Sequence, residues 1–338
     1  MRRRVLVAVL ALQAMAVLAQ PPLIIAHRGA SAYLPEHTLP AKVLAHTQGA
    51  DFIEQDVVLS RDGVPIVLHD IHLDATTDVA ERFPGRARQD GRFYAIDFTL
   101  AELRTLRAGE RRGADGEPVY PHRFPAGPAF LPIPTLEEEI RLITGLNQTR
   151  EHQAGLHIEM KGSAFHQAQG LDLPAAVLQV LRATGWDQAT DRVFLQSFEP
   201  DALRYLRNEL GTPLPLIQLI GENSWHEDGA VDYDAMRTSA GLDTVASYAD
   251  GIGPWIPQLY RMSGAGISSS GLAEAAHARG LATHPYTARA DDLPPGIESF
   301  GALHRLLFAE LGVDGIFTDF PDQSRAFREQ LQNAAPAE

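Results

Sequence analysis

Two short segments place acidic side chains where they could act together. In Phe52-Ile53-Glu54-Gln55-Asp56 an extended chain alternates its faces, so Glu54 and Asp56 point the same way. The same alternation in His157-Ile158-Glu159-Met160-Lys161 groups His157, Glu159 and Lys161. If both segments line one site, three carboxylates converge there. Two like charges at about 4 Å repel by roughly 4 kcal/mol at an effective dielectric near 20, and a divalent cation supplies the missing charge. The chain has no cysteine, so any metal must be held by oxygen or imidazole. A carboxylate set favours Ca²⁺, Mg²⁺ or Mn²⁺ over zinc.

Two further segments bring histidine to the end of an apolar run: Ala26-His27-Arg28-Gly29 and Leu68-His69-Asp70. With an ordinary pKa near 6.5, such a pair can serve as general base and general acid, in either order. Arg28 and Lys161 add two cations, which together with a metal would clamp an anion, above all a phosphate group. Only two of the 29 basic residues are lysine, Lys42 and Lys161, so a lysine placed two positions after Glu159 marks a requirement for a compact ammonium. Gln196, Trp255 and Tyr286 follow later apolar runs and are further candidates for substrate contact. Asp319, in Thr318-Asp319-Phe320-Pro321, reads as a turn or capping residue.

These residues need a scaffold that brings the ends of many strands together. Short aliphatic runs at Leu23 to Ala26, Phe52 to Val58, Val64 to Leu68, Gly155 to Glu159, Arg192 to Gln196, Leu214 to Leu219, Gly251 to Gly253, Leu281 to Pro285 and Gly315 to Thr318 read as strands. Amphipathic stretches lie between most of them, at Pro40 to Gln48, Leu136 to Leu146, Ala175 to Thr184, Asp201 to Leu210, Leu272 to Arg279 and Phe300 to Leu311. This alternation predicts βαβ units and a parallel sheet. The Asp62-Gly63 turn makes Val64 to Leu68 a hairpin return, because a parallel crossover needs about a dozen residues or more. Eight parallel strands remain, which predicts a (β/α)₈ barrel with its chemistry at the C-terminal ends of the strands. From about residue 72 to 134 the chain is rich in Arg, Gly, Pro and Asp, and it reads as an insertion covering that face, helical near Thr99 to Leu106.

The 338 residues carry a formal net charge of −14, which argues against a nucleic-acid partner. A hydrophobic fraction of 45% is that of a folded globular chain. At the N-terminus Arg2, Arg3 and Arg4 precede an apolar run from Val5 to Leu18, with small residues before Gln20. That pattern predicts a signal peptide over residues 1–19 and a periplasmic or secreted domain over 20–338, with no stable membrane insertion after cleavage.

The motifs, taken in order, resemble the glycerophosphodiester phosphodiesterase family, in its exported bacterial form. They are Ile24-Ile25-Ala26-His27-Arg28-Gly29-Ala30, Pro35-Glu36-His37-Thr38, Glu54-x-Asp56, Pro65-Ile66-Val67-Leu68-His69-Asp70, Glu159-x-Lys161 and Asp314-Gly315-Ile316-Phe317-Thr318-Asp319-Phe320-Pro321. His37 stands where the family motif usually has Asn. The resemblance implies a TIM barrel that uses a divalent cation, Ca²⁺ or Mg²⁺, to hydrolyse glycerophosphodiesters to sn-glycerol 3-phosphate and an alcohol. It implies Glu54, Asp56 and Glu159 as metal ligands, His27 and His69 as acid and base, and Arg28 and Lys161 as the phosphate clamp. Two other readings fit parts of the pattern. One is a phospholipase D-like action on lysophospholipid or sphingolipid head groups, against which the absence of cysteine counts. The other is a non-catalytic exported binding protein for phosphorylated glycerol compounds, which would not need two strand-end histidines.

Overall fold

A computed structural model describes residues 21–125, 131–225, 231–264 and 266–334. The expected leader, residues 1–19, lies outside them. Eight parallel strands form the central sheet: β1 (Leu23–Ala26), β2 (Phe52–Leu59), β4 (Gly155–Met160), β5 (Val193–Ser197), β6 (Leu216–Ile220), β7 (Gly251–Pro254), β10 (Ala282–Thr283) and β11 (Gly315–Thr318). β3 (Pro65–Val67) returns antiparallel along β2, with Val57 opposite Val67. A separate hairpin, β8 (Tyr260–Ser263) and β9 (Gly266–Ser269), follows β7 and had no counterpart in the sequence reading.

The sheet runs in the order β10-β7-β6-β5-β4-β2-β1-β11. It closes through single backbone hydrogen bonds, Asp314 N to Thr283 O and Phe317 N to Pro285 O, both 3.0 Å. β10 is shorter than the predicted Leu281 to Pro285 because Pro285 has no N–H to give to a ladder. Its neighbours His284 and Tyr286 still donate to the carbonyls of Ile252 and Pro254.

Helices pack around the barrel: α1 (Leu39–Thr47), α4 (Leu136–Thr149), α5 (Ser163–Ala168), α6 (Leu173–Thr184), α7 (Pro200–Asn208), α8 (Tyr233–Met236), α9 (Ser239–Val245), α10 (Leu272–His277), α11 (Phe300–Arg305) and α12 (Pro321–Ala334). Their starts follow local chemistry. Thr38 and Thr135 cap α1 and α4, and Glu138 completes a capping box at α4. The single helix expected over Phe300 to Leu311 is α11 continued by a π-helical turn, Leu306–Glu310.

The insertion is compact. Among its described residues are two four-residue helices, α2 (Val79–Arg82) and α3 (Leu100–Leu103), so the helix expected near Thr99 to Leu106 is shorter than predicted. Its own small core joins Leu73, Phe93, Phe98, Leu103 and Leu106 to Val58 and Ile66 of the hairpin. That packing fixes the segment beside the C-terminal mouth of the barrel. No helix among the described residues is long and apolar enough to cross a membrane.

Candidate active site

Strand register brings the acids together. β2 and β4 pair so that Asp56 lies beside Glu159, and β5 continues the row with Gln196 beside Glu159. Glu54, Asp56 and Glu159 are buried, and each offers an oxygen within 4.8 Å of the others. Gln196 Nε2 donates to Glu54 Oε1 at 2.9 Å.

The loop after β1 reaches over this cluster. Arg28 has φ 59°, a left-handed backbone that points its N–H at Glu54 Oε2, 2.9 Å away. Gly29 follows at φ 92°, and a Cβ there would lie 3.0 Å from the Ala41 carbonyl, so only glycine fits this close approach to α1. His37, also left-handed, sets its Nε2 2.8 Å from Asp56 Oδ2. Behind it the fully buried Lys42 contacts His37 Nδ1 at 3.2 Å, donates to the Glu54 carbonyl and pairs with Glu139 of α4 at 3.3 Å. His37 therefore holds an acid of the cluster in place.

The two histidines share one wiring. His27 Nδ1 lies 2.6 Å from Asp319 Oδ1, and its Nε2 is 3.9 Å from Glu54 Oε2. His69 Nδ1 lies 2.5 Å from Asp70 Oδ1. A hydrogen bond from Nδ1–H to a carboxylate leaves Nε2 of each ring for proton exchange in the cavity. Leu68 N donates to the Asp56 carbonyl at 2.9 Å, which is how the hairpin return delivers His69 to the level of the acids. Asp319 is thus no mere turn or capping residue. It is buried, orients His27, and is itself held by Arg123 and Arg289, each at 2.8 Å.

Burial and mutual repulsion shape the charges. Burial, then Asp56 and Glu159, push Glu54 well above the usual carboxylate range. Burial pushes Glu159 up to about 8 against the pull of Lys161. Burial acts on Asp56 in the same direction, but His37, His69 and Arg28 outweigh it and hold this acid low. Burial lowers His27 to about 4 and His69 to about 3, with Arg28 adding to both. A cluster in which two of three acids resist ionisation, with Asp56 Oδ1 buried and carrying no hydrogen bond, has the charge deficit and the donor set that fit a divalent cation.

The cations are anchored as well. Arg28 pairs with Glu36 at 3.0 Å and approaches Asp56 at 3.5 Å, and Lys161 lies 2.9 Å from Glu159. Arg111 of the insertion ties Glu36 to Asp70, at 2.8 and 2.7 Å. A cavity of about 260 Å³ is lined by the ten residues expected from the sequence to act as metal, acid–base, clamp or substrate contacts: His27, Arg28, Glu54, Asp56, His69, Glu159, Lys161, Gln196, Trp255 and Tyr286. Trp225 and Phe198 complete an aromatic wall. His157 shares the face of Glu159 but sits deeper, stacked on Phe194 and 3.4 Å from His284, and belongs to the barrel interior.

Sequence reasoning missed the residues that hold others: Asp319, His37, Lys42, Arg111 and Arg289. For Asp319 a signal existed, since it directly follows β11 at a strand end.

Comparison with known proteins decides the family. Residues 27–323 match the model of the glycerophosphoryl diester phosphodiesterase family. The chain belongs to that family. It is 39% identical over 324 residues to a glycerophosphodiester phosphodiesterase of Haemophilus influenzae, covering 90% of this chain and 89% of that protein. A Treponema pallidum protein of the same name is 38% identical over 320 residues, covering 89% and 90%. The crystal structure of a glycerophosphodiester phosphodiesterase from Agrobacterium tumefaciens superposes with a TM-score of 0.59 at 25% identity, over 90% of this chain and 99% of that one. This phosphodiesterase is accordingly a TIM barrel and a hydrolase of glycerophosphodiesters.

Proposed function

We propose that this phosphodiesterase releases sn-glycerol 3-phosphate by general acid–base catalysis, with His27 and His69 as the proton-transfer pair and Glu54, Asp56 and Glu159 as ligands of Ca²⁺ or Mg²⁺. The observation that carries this reading is the convergence, at one barrel mouth, of two carboxylate-backed imidazoles and a buried triad of acids. A divalent cation bound there would supply Lewis-acid polarisation of a non-bridging phosphoryl oxygen.

The chain's own residues account for the rest. Arg28 and Lys161 present their charges at the cavity wall, where they hold the phosphodiester and favour the charge that develops on it. One histidine removes a proton at its Nε2 from the water that forms the new P–O bond, and the other gives a proton to the alkoxide as its P–O bond breaks, leaving sn-glycerol 3-phosphate and an alcohol. Asp319 and Asp70 hold the Nδ1–H of each ring, so that Nε2 takes up the proton in the base, and the acid, as an imidazolium backed by its aspartate, gives one up from Nε2. Trp225, Trp255 and Tyr286 offer apolar faces to the carbon skeleton of the substrate and narrow the access of water. Hydrolysis outside the cytoplasm, after export through the N-terminal leader, is part of this reading.

The test is release of sn-glycerol 3-phosphate from glycerophosphocholine by the purified chain, in excess EDTA and after adding back Ca²⁺ or Mg²⁺. Activity should vanish with the chelator and return with one of the ions. Undiminished turnover in EDTA would remove the metal from the mechanism.

A further inference from the structure

A second, smaller chamber of about 140 Å³ lies against the first, walled by the insertion. The two meet at His27, Arg28, His69 and Arg289, and the smaller one contains none of the three clustered acids. A diester whose phosphate is held at the shared residues therefore has room for one of its halves in each chamber. The larger has the acids, Lys161 and the aromatic wall, which suit the phosphoglycerol half. The smaller is left for the departing alcohol.

One group in that chamber lacks what its surroundings have. Arg111 is bound to Glu36 and Asp70, and Arg123 to Asp291 and Asp319. Glu110, only 6% exposed, lines the same space, and its Oε2 is buried without a hydrogen-bond partner. Burial, then the charge of Glu36, pushes this carboxyl up to about 7. A buried acceptor left unpaired is costly, and a hydrogen-bond donor arriving with the substrate removes the cost. The chamber is not built for a quaternary ammonium. Among the described residues its one phenyl or phenol ring, Tyr120, already faces the Arg123 guanidinium at 3.6 Å and Arg289 at 5.7 Å.

We propose that Glu110 is a specificity-determining residue that accepts a hydrogen bond from the alcohol half of the diester, so that head groups ending in an ammonium or hydroxyl donor are favoured over choline. This rests on the hydrolytic reading above.

The experiment measures kcat/KM for glycerophosphoethanolamine, glycerophosphoglycerol and glycerophosphocholine with the wild type, E110Q and E110A. Ratios between substrates within one preparation do not depend on the fraction folded. The wild type should favour the two donor-bearing diesters over the choline diester, and E110A should shrink that preference at least fivefold, with E110Q intermediate. A uniform fall on all three, or an unchanged ratio, overturns the proposal and makes Glu110 a structural residue or a contact of the shared glycerol half. No hydrolysis of any of the three by the wild type would instead overturn the hydrolytic reading, and this proposal with it.

Discussion

His27 and His69 have the same wiring, and their carboxylate partners differ. Asp319 is buried to 1% exposure, and Arg289, His27 and Arg123 together hold it well below its usual range against burial. Asp70 is more open, and its Oδ2 takes Arg111. Each aspartate is acceptor-only, so its ring must carry the proton on Nδ1. Asp319→Asn keeps the shape but offers an amide N–H, which favours the tautomer with the proton on Nε2. The same change in a Ser-His-Asp triad costs about 10⁴ in turnover. Asp319→Asn should therefore lower kcat by a hundredfold or more with KM little changed, and His27→Ala and His69→Ala should each lose about 10² to 10⁴. Steady-state kinetics on glycerophosphocholine checks this, and wild-type kcat in any of the three would take that residue out of the mechanism. The clustered acids and the two cavity histidines were legible because each ends or lines a strand. Asp319 obeys the same rule, but its Thr-Asp-Phe-Pro setting also reads as a turn, and nothing in one sequence says that β1, which ends before His27, pairs with β11, which ends before Asp319.

At the level of elements, the barrel strands were legible because short apolar runs flanked by turn signals have few alternatives, whereas the β8–β9 hairpin, exposed along most of its length, carries no such run. The insertion was not, since its order comes from a small core and from pairs such as Arg88 with Asp97 and Arg92 with Asp74, which have no period. The tie between α1 and α4 was equally hidden. Lys42 lies on the buried side of α1 and Glu139 on that of α4, and neither spacing nor composition marks them as partners. Burial pushes Glu139 up to about 7 even with Lys42 beside it, so the ammonium is its main compensation. Lys42→Met leaves that carboxyl unpaired and releases both His37 and the Glu54 carbonyl from behind. Breaking a buried pair costs about 3–5 kcal/mol. Urea denaturation at pH 8 should show a loss of that size for Lys42→Met and a smaller one for the Lys42→Met/Glu139→Leu double variant. A single variant as stable as the wild type would show that the pair is not structural.

Over the whole molecule, net charge conceals a division of labour. The exterior is rich in exposed carboxylate–arginine pairs, while the buried titratable groups among the described residues include seven histidines, each pushed below its ordinary pKa by burial. His166 and His304, both away from the acid cluster, are fully buried, and burial lowers each to about 4. The unfolded chain binds a proton at these sites below about 6.5, and the folded chain does so only below about 4. Stability rises with pH wherever the unfolded state holds more protons. These two histidines therefore give their full stabilisation above pH 6.5 and lose it as the pH falls toward 4, by up to roughly 3 kcal/mol each. His304 stacks on Phe327 at 5.1 Å and meets Phe300 edge-on, so a phenylalanine preserves the packing without the titration. Thermal melts between pH 7 and pH 4.5 should show a steep fall in Tm for the wild type and a shallower one for His304→Phe. Parallel curves would mean that His304 is already protonated in the folded barrel and adds nothing to the acid sensitivity of the fold.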